Sequence, residues 1–273
     1  MPSDARIAFI TDALPSLVGA EKVLFTALEL FPSADIFTLV YNRQLFTGTP
    51  LADREIRTSP LDRLPLAHTH HRALFPLMPA AVASFNLSDY DIVVSFNYAV
   101  AHGVRVPAGA RHVSYTYTPM RYAWNNLNIR GERAPENPLV RLLFSLFRNW
   151  DRRAARRVHE FAAISQSIAA RIQRAYGRHA QIIHPPVDVN RFLPGDQRGG
   201  DYFVSLSRLV PHKRLDILIA AFNELRLPLL IIGEGPELPR LQQMASANIC
   251  FAGYLPDPEV GRSGARTQLR QGG

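Results

Sequence analysis

The chain has almost no cysteine. Its 273 residues include only Cys250, so no disulfide can form within the chain, and a reducing compartment fits this composition. No apolar run approaches the roughly 20 residues of a membrane-spanning helix. The first residues, "MPSDARIAFITDALP", lack the pattern of a secretory signal. These absences predict a cytoplasmic protein that could touch the inner face of a membrane.

Acidic residues are also fewer than basic residues. The 23 Asp and Glu residues stand against 31 Lys and Arg residues, which gives a formal net charge of +8. Such a surplus favours anionic partners, among them phosphates, nucleic acid and anionic lipid. The arginines are not grouped with a recognisable nucleic-acid-binding module, so we predict no nucleic-acid partner.

Clusters of metal ligands are missing too. His68, His70 and His71 lie in a Pro-rich stretch without a fourth ligand at a recognisable spacing. Asp89 and Asp91 form an Asp-x-Asp pattern, but it leads directly into the apolar "IVVSF" and so indicates the start of a strand. We therefore predict no metal site.

Short apolar runs recur along the chain with room for a helix between them. In the first part they cover 6–11, 35–40, 91–96, 112–117, 160–164 and 180–184, with a helical pattern over 20–30. Continuous runs of this kind are typical of buried parallel strands with helices on both faces of the sheet. Right-handed crossovers between them predict a doubly wound, Rossmann-like α/β domain.

A Pro- and Gly-rich stretch at 184–201, "HPPVDVNRFLPGDQRGGD", interrupts this rhythm and indicates a linker. A second set of alternating strands and helices follows it. The predicted organisation is a domain over 1–185, a linker over 186–200, a second and incomplete Rossmann-like domain over 201–259, and a disordered tail over 260–273. Ligands of such folds bind at the carboxyl ends of the strands.

The motif "SRLVPHKR" places Arg208 and Lys213 in the turn between a predicted strand and helix. Cations are unfavourable at a helix N-terminus, which already carries positive partial charge. An Arg fork and a Lys point charge suit a diphosphate. The alternative is a solvated, basic start of a helix.

Two further turns follow predicted strands. Gly233, Glu234 and Gly235 in "IIGEGPE" offer free backbone amides to phosphate or ribose oxygens, although the turn could simply be a tight connection. In "LVGAEKV", Gly19 gives room at a helix start, and Glu21 could contact a ligand hydroxyl or only the helix dipole. The aromatic stretch "SYTYTPMRYAWNN" offers stacking faces and hydrogen bonds for a sugar, or packs under a loop.

Together these motifs resemble glycosyltransferase family four, the retaining enzymes of the GT-B fold, in its mannosyltransferase-like branch. The segment "SRLVPHKRLDILIAAFNELRLPLLIIGEGPELPRLQQMA" is similar to the donor-binding domain of that family, and "PPVDVNRF" and "DRRAARRVHEFAAISQSIAARI" also match it. The resemblance extends from residue 5 to about residue 259. It implies a GT-B-like fold with an acceptor-binding first domain and a second domain that binds a nucleotide-diphosphate sugar.

The resemblance also implies roles for individual residues. Arg208 and Lys213 match the family's catalytic pair that neutralises the donor diphosphate, so no metal cofactor is needed. The donor-binding residues it implies are Arg208, Lys213, Gly19, Gly233, Glu234 and Gly235. The acceptor-binding residues it implies are Glu21, Asn97, Tyr98, His102, Tyr117 and Arg121. The implied partners are the nucleotide-sugar donor and a glycan or lipid-linked acceptor.

The sequence departs from the family in three respects. The branch often has His where Tyr98 and Tyr117 stand, and Tyr is a poor proton acceptor near neutral pH. His102 could substitute, although a lone His is more often structural. After residue 259 the family's Glu-x7-Glu pair is absent. We therefore expect a truncated chain with impaired activity, and a non-catalytic remnant that binds a glycan or a partner stays the alternative. A nicotinamide-dependent enzyme is disfavoured because no G-x-G-x-x-G follows the first strand.

One helical pattern, at 141–158, has two interpretations. Its apolar residues recur at helical spacing among arginines: Leu142, Leu143, Leu146, Phe147 and Trp150. The pattern indicates an amphipathic helix packed on the sheet. Packing on the sheet is the favoured interpretation, and contact with an anionic membrane is the alternative.

Overall fold

A computed structural model describes residues 5–15, 19–65, 67–124, 138–187, 189 and 202–255. The chain divides into two compact units, Met1–Pro186 and Val187–Gly273, called unit 1 and unit 2 below. The predicted linker falls mostly outside the described residues, and the predicted tail lies wholly outside them.

Unit 1 is built on a parallel seven-stranded sheet. Its strands are β1 (Ile7–Thr11), β2 (Asp35–Thr38), β3 (Ile56–Thr58), β4 (Ile92–Asn97), β5 (Arg111–Thr116), β6 (Glu160–Ala163) and β7 (Gln181–Ile182). The order across the sheet is β3-β2-β1-β4-β5-β6-β7. The order reverses between β1 and β4, and in doubly wound sheets the ligand crevice lies at this switch point.

Helices cover both faces of this sheet. They are α1 (Ala20–Leu30), α2 (Ala67–His70), α3 (Met78–Ala83), α4 (Arg121–Trp124), α5 (Pro138–Ala155) and α6 (Gln166–Tyr176). Alternate residues of β1 pack into the two resulting cores, with Phe9 in one and Ile10 in the other. This period of two explains why a buried strand reads as a continuous apolar run.

Unit 2 contains a parallel three-stranded sheet in the order β8-β9-β10. Its elements are β8 (Phe203–Leu206), α7 (Leu215–Leu225), β9 (Leu229–Ile232), α8 (Leu238–Met244) and β10 (Ile249–Gly253). Every residue of the central strand β9 is buried, whereas Phe203, Val204 and Leu206 on the edge strand β8 are exposed.

The predicted α/β class is confirmed. Helix α1 covers the predicted range, and each predicted run overlaps a strand whose ends differ from those of the run by a few residues. Strand β3 was missed because only Ile56 of its three residues is apolar and the other two are exposed. None of the described helices is both long and apolar enough to cross a membrane.

Candidate functional site

The switch point of unit 1 is closed by a buried aspartate. Asp12 directly follows β1, and its carboxylate accepts four backbone N–H bonds from the segment after β4. The donors, at 2.6–2.9 Å, are the amides of Tyr98, Ala99, Val100 and Ala101. Asp12 therefore fixes the loop after β4 at the position where a doubly wound sheet binds its ligand.

The protonation state of Asp12 follows from the same geometry. Burial raises the pKa of the Asp12 carboxyl above its usual range, and the four backbone hydrogen bonds offset part of this rise. Each carboxylate oxygen already accepts two N–H bonds, so a carboxyl proton would displace one of them. The arrangement thus fits the ionised form, which four donors stabilise.

A narrow pocket lies between the ends of β1, β4 and α1. Its lining residues are Thr11, Ala13, Leu14, Ala20, Glu21, Leu24, Phe96, Tyr98 and Tyr117. Glu21 is buried and accepts the Gly19 N–H at 2.8 Å, which fixes the start of α1. The Tyr117 hydroxyl donates to the Ala20 carbonyl at 3.0 Å. Burial raises the pKa of Tyr117, so this side chain is a hydrogen-bond donor rather than a base.

The structure therefore brings Gly19, Glu21, Tyr98 and Tyr117 of the predicted site together. Asn97 and His102 lie beneath them, both with a relative exposure of 0%. The Asn97 Oδ1 accepts the His102 backbone N–H at 3.3 Å. In this conformation both side chains are inaccessible to an acceptor. They support the loop after β4 instead. The Arg121 side chain lies outside the described residues.

A second buried aspartate, which the sequence analysis missed, joins three helices of unit 1. Asp151 on α5 accepts hydrogen bonds from Trp124 Nε1 at 2.6 Å and the Tyr176 hydroxyl at 2.8 Å. Its other oxygen lies 3.1 Å from His102 Nε2. Burial, followed by the Asp151 charge, raises the pKa of Tyr176. This cluster explains why His102 is structural and holds α4 against α5.

In unit 2 the two predicted cations flank a pinned loop. Arg208 lies two residues after β8, and Lys213 ends the 3₁₀ turn Pro211–Lys213 before α7. Both side chains are exposed, and neither forms an ion pair within the described part of the chain. The next residue, Arg214, differs because its guanidinium Nε lies 3.0 Å from Asp216 Oδ1 and holds the pKa of that carboxyl below its usual range.

The loop between the cations is anchored by Leu209, whose side chain has 0% exposure. Its amide donates to the Glu234 carbonyl at 2.9 Å, and its carbonyl accepts the Glu237 N–H at 3.1 Å. The backbone between Arg208 and Lys213 is thus tied to the turn after β9. The two charged side chains project from a fixed backbone. Because this backbone has little conformational freedom left to lose, the entropic cost of binding a ligand there is lower.

The glycines after β9 make this contact between loops feasible. A Cβ at Gly233 would lie 2.0 Å from the Ser207 carbonyl oxygen, and one at Gly235 would lie 2.2 Å from the Leu209 carbonyl oxygen. Both positions therefore exclude any side chain. The described contacts give the glycines a role in loop packing, and their contact with a donor stays a prediction, as does that of the exposed Glu234. Within the described ranges no three His, Cys, Asp or Glu residues converge as metal ligands would.

Comparison with known proteins identifies the family of this arrangement. The model of Glycosyltransferase Family 4 matches residues 19–191. A GDP-mannose-dependent alpha-(1-6)-phosphatidylinositol monomannoside mannosyltransferase of Mycolicibacterium smegmatis is 40% identical over 120 residues, which is 36% of this chain and 31% of that protein. The chain thus matches about a third of the length of this curated relative.

Solved structures share the fold at low sequence identity. The Anabaena protein HepE in complex with UDP-glucose has a TM-score of 0.60 and 17% identity, covering 92% of this chain and 70% of that one. The lipopolysaccharide outer core galactosyltransferase WaaB has a TM-score of 0.55 and 16% identity, covering 95% of this chain and 71% of that one. These likenesses confirm the predicted GT-B fold class.

Proposed function

Because the chain belongs to glycosyltransferase family 4, we propose that it transfers a sugar from a nucleotide-diphosphate donor to a glycan or lipid-linked acceptor. The observation that carries this proposal is the pair Arg208 and Lys213. Both are exposed beside a pinned loop, and neither has a carboxylate partner among the described residues. Unpaired cations at the carboxyl end of a strand suit a phosphate-bearing ligand.

The chemistry follows from where charge develops. When the bond between the sugar and the donor breaks, the leaving nucleotide diphosphate gains negative charge on its β-phosphate. Cations placed beforehand stabilise that charge more in the transition state than in the ground state, which lowers the barrier. We assign this role to Arg208 and Lys213 and propose that they act without a metal ion. Sugar transfer that persists in excess EDTA would support the proposal that no metal ion takes part.

The donor and the acceptor are proposed from the relative's name. That protein is described as GDP-mannose-dependent and as acting on a phosphatidylinositol mannoside. We propose GDP-mannose as the donor here, with a glycan or glycolipid acceptor bound near the pocket of Glu21 and Tyr117. The alternative is a non-catalytic protein that binds a glycan or a partner chain, and a transfer assay decides between the two.

The cation pair is tested by calorimetric titration of GDP and UDP into the whole protein and into Arg208→Gln and Lys213→Gln. Each lost charge-assisted hydrogen bond is worth about 1.5–3 kcal/mol. We therefore expect each variant to bind GDP roughly 10- to 150-fold more weakly than the original chain.

Arg226→Gln is the matched control, because Arg226 is exposed and directly follows α7, at the other end of the helix from Lys213. It removes the same charge and should leave GDP binding unchanged. If all three variants lose the same affinity, the effect is one of net charge and the assignment fails. Tighter binding of UDP than GDP would overturn GDP-mannose as the donor and leave the cation pair standing.

A further inference from the structure

Helix α5 divides its apolar residues between the interior and the surface. Phe147 is 8% exposed, whereas Leu142 and Leu146 are each 58% exposed and Leu143 is 41% exposed. Leucines four residues apart lie on the same side of a helix. The three leucines thus form an apolar strip on the outer face of α5. This strip does not pack against the sheet.

The charge on the same face has one sign. The only acid between residues 138 and 158 is Asp151, which is fully buried in the cluster with Trp124. Arg153 follows Leu142 and Leu146 along the same side of the helix and is exposed. Arg156 is exposed just beyond the end of α5.

The arginines of this region differ in their contacts. Arg152 stacks over the Trp124 ring at 4.7 Å, and Arg157 donates to the Gly103 carbonyl at 3.2 Å, so both support the fold. Arg141, Arg153 and Arg156 form no ion pair with any residue that the structure describes. Three guanidinium groups are therefore free to bind an external anion beside the exposed leucines.

We infer that the outer face of α5 docks on an anionic lipid surface, with Leu142, Leu143 and Leu146 entering the headgroup boundary and the three free arginines contacting lipid phosphates. A helix with an apolar strip and a cationic polar face lies in the plane of such an interface. The positive charge of this face favours an anionic lipid surface over an apolar protein partner, because such a protein would not need three unpaired cations. The inference does not depend on the proposed sugar transfer.

Co-sedimentation of the whole protein with vesicles tests it. One set of vesicles is an equimolar mixture of phosphatidylglycerol and phosphatidylcholine, and the other is phosphatidylcholine alone. We expect binding to the anionic vesicles only, weakened as salt screens the arginines. The double variant L142S/L146S should lower partitioning about tenfold or more. The double variant R153Q/R156Q should lower it by a similar factor.

The control L30S/L225S removes two leucines that are equally exposed elsewhere, at 71% and 60%, and should bind like the original chain. Equal loss in this control, or equal binding to neutral vesicles, overturns the inference. So does a dimer in light scattering that L142S/L146S dissociates, because the face would then bind a second copy. R153Q/R156Q keeps the test decisive if the leucine variant folds poorly.

Discussion

The polar side chains near the ends of β1 and β4 in unit 1 form hydrogen bonds within the protein. The two cations after β8 in unit 2 form no such bonds with the described residues. Asp12 accepts four backbone amides, and Glu21 accepts the Gly19 amide. Arg208 and Lys213 have no such partner in the described chain. Unit 1 thus uses its polar groups to fix a pocket, and unit 2 keeps its charges available for a ligand.

Removing the Asp12 charge should have the largest effect on stability. In Asp12→Asn the amide group would face at least two of the backbone N–H donors that the carboxylate now accepts. Buried donors without acceptors and a broken charge network cost about 3–5 kcal/mol together. Urea unfolding should show this loss as a lower midpoint.

The matched control is Asp216→Asn, which removes a carboxylate that is bound to Arg214 at the surface. It should leave the unfolding midpoint unchanged, because exposed ion pairs add little. If both aspartates prove equally important or equally dispensable, the contrast between a structural and a surface carboxylate is wrong.

The loop contact of unit 2 should break in Gly235→Ala. The new Cβ would lie 2.2 Å from the Leu209 carbonyl oxygen, so the loop that carries Arg208 has to move. Overpacking of this kind costs about 1–3 kcal/mol. We expect lower thermal stability and weaker GDP binding together, measured by calorimetry.

Gly109→Ala separates the clash from backbone strain. Gly109 has φ 94° and nothing within 4 Å of an added Cβ, so its substitution imposes only the conformational cost. That variant should lose some stability and no GDP affinity. Loss of nucleotide binding in both variants would show that the affinity follows stability rather than loop position.

The last contrast concerns pH. Burial lowers the pKa of His112 to about 3, and its Nε2 lies 3.0 Å from Ser95 Oγ. Between about pH 6.5 and pH 3 the unfolded chain binds a proton there that the native chain does not, so the free energy of unfolding falls by about 1.4 kcal/mol per pH unit as pH falls.

His112→Asn should make this fall shallower, and urea unfolding at about pH 7 and pH 5 measures the change. His70→Asn removes an exposed imidazole and serves as the control. An unchanged slope in His112→Asn would contradict the neutral, buried state of this histidine.

Much of the fold could be predicted because strands buried on both faces leave continuous apolar runs. The runs at 6–11 and 35–40 illustrate this, since each contains a strand and its signal lies within a dozen residues. The role of Asp12 could not be predicted in the same way. Its four donors come 86 to 89 residues later in the chain, and only the strand order brings them together.

The candidate site was predictable to a similar degree. The sequence identified the turns after the strands and the cations in them, because these motifs are local. It did not reveal that Gly233 and Gly235 contact the neighbouring loop, nor that His102 faces Asp151, because both contacts join distant segments. The apolar pattern of α5 likewise did not show which leucines face outward.

Lysine acylation measured by mass spectrometry tests the role of the cation pair most directly. Lys22 and Lys213 are the only lysines of the chain, so the modification at each is read without ambiguity. We expect GDP to slow acylation of Lys213 about tenfold or more, whereas guanosine, which lacks the phosphates, should not slow it. An equal rate at Lys213 with GDP and with guanosine would contradict the claim that this side chain binds the diphosphate.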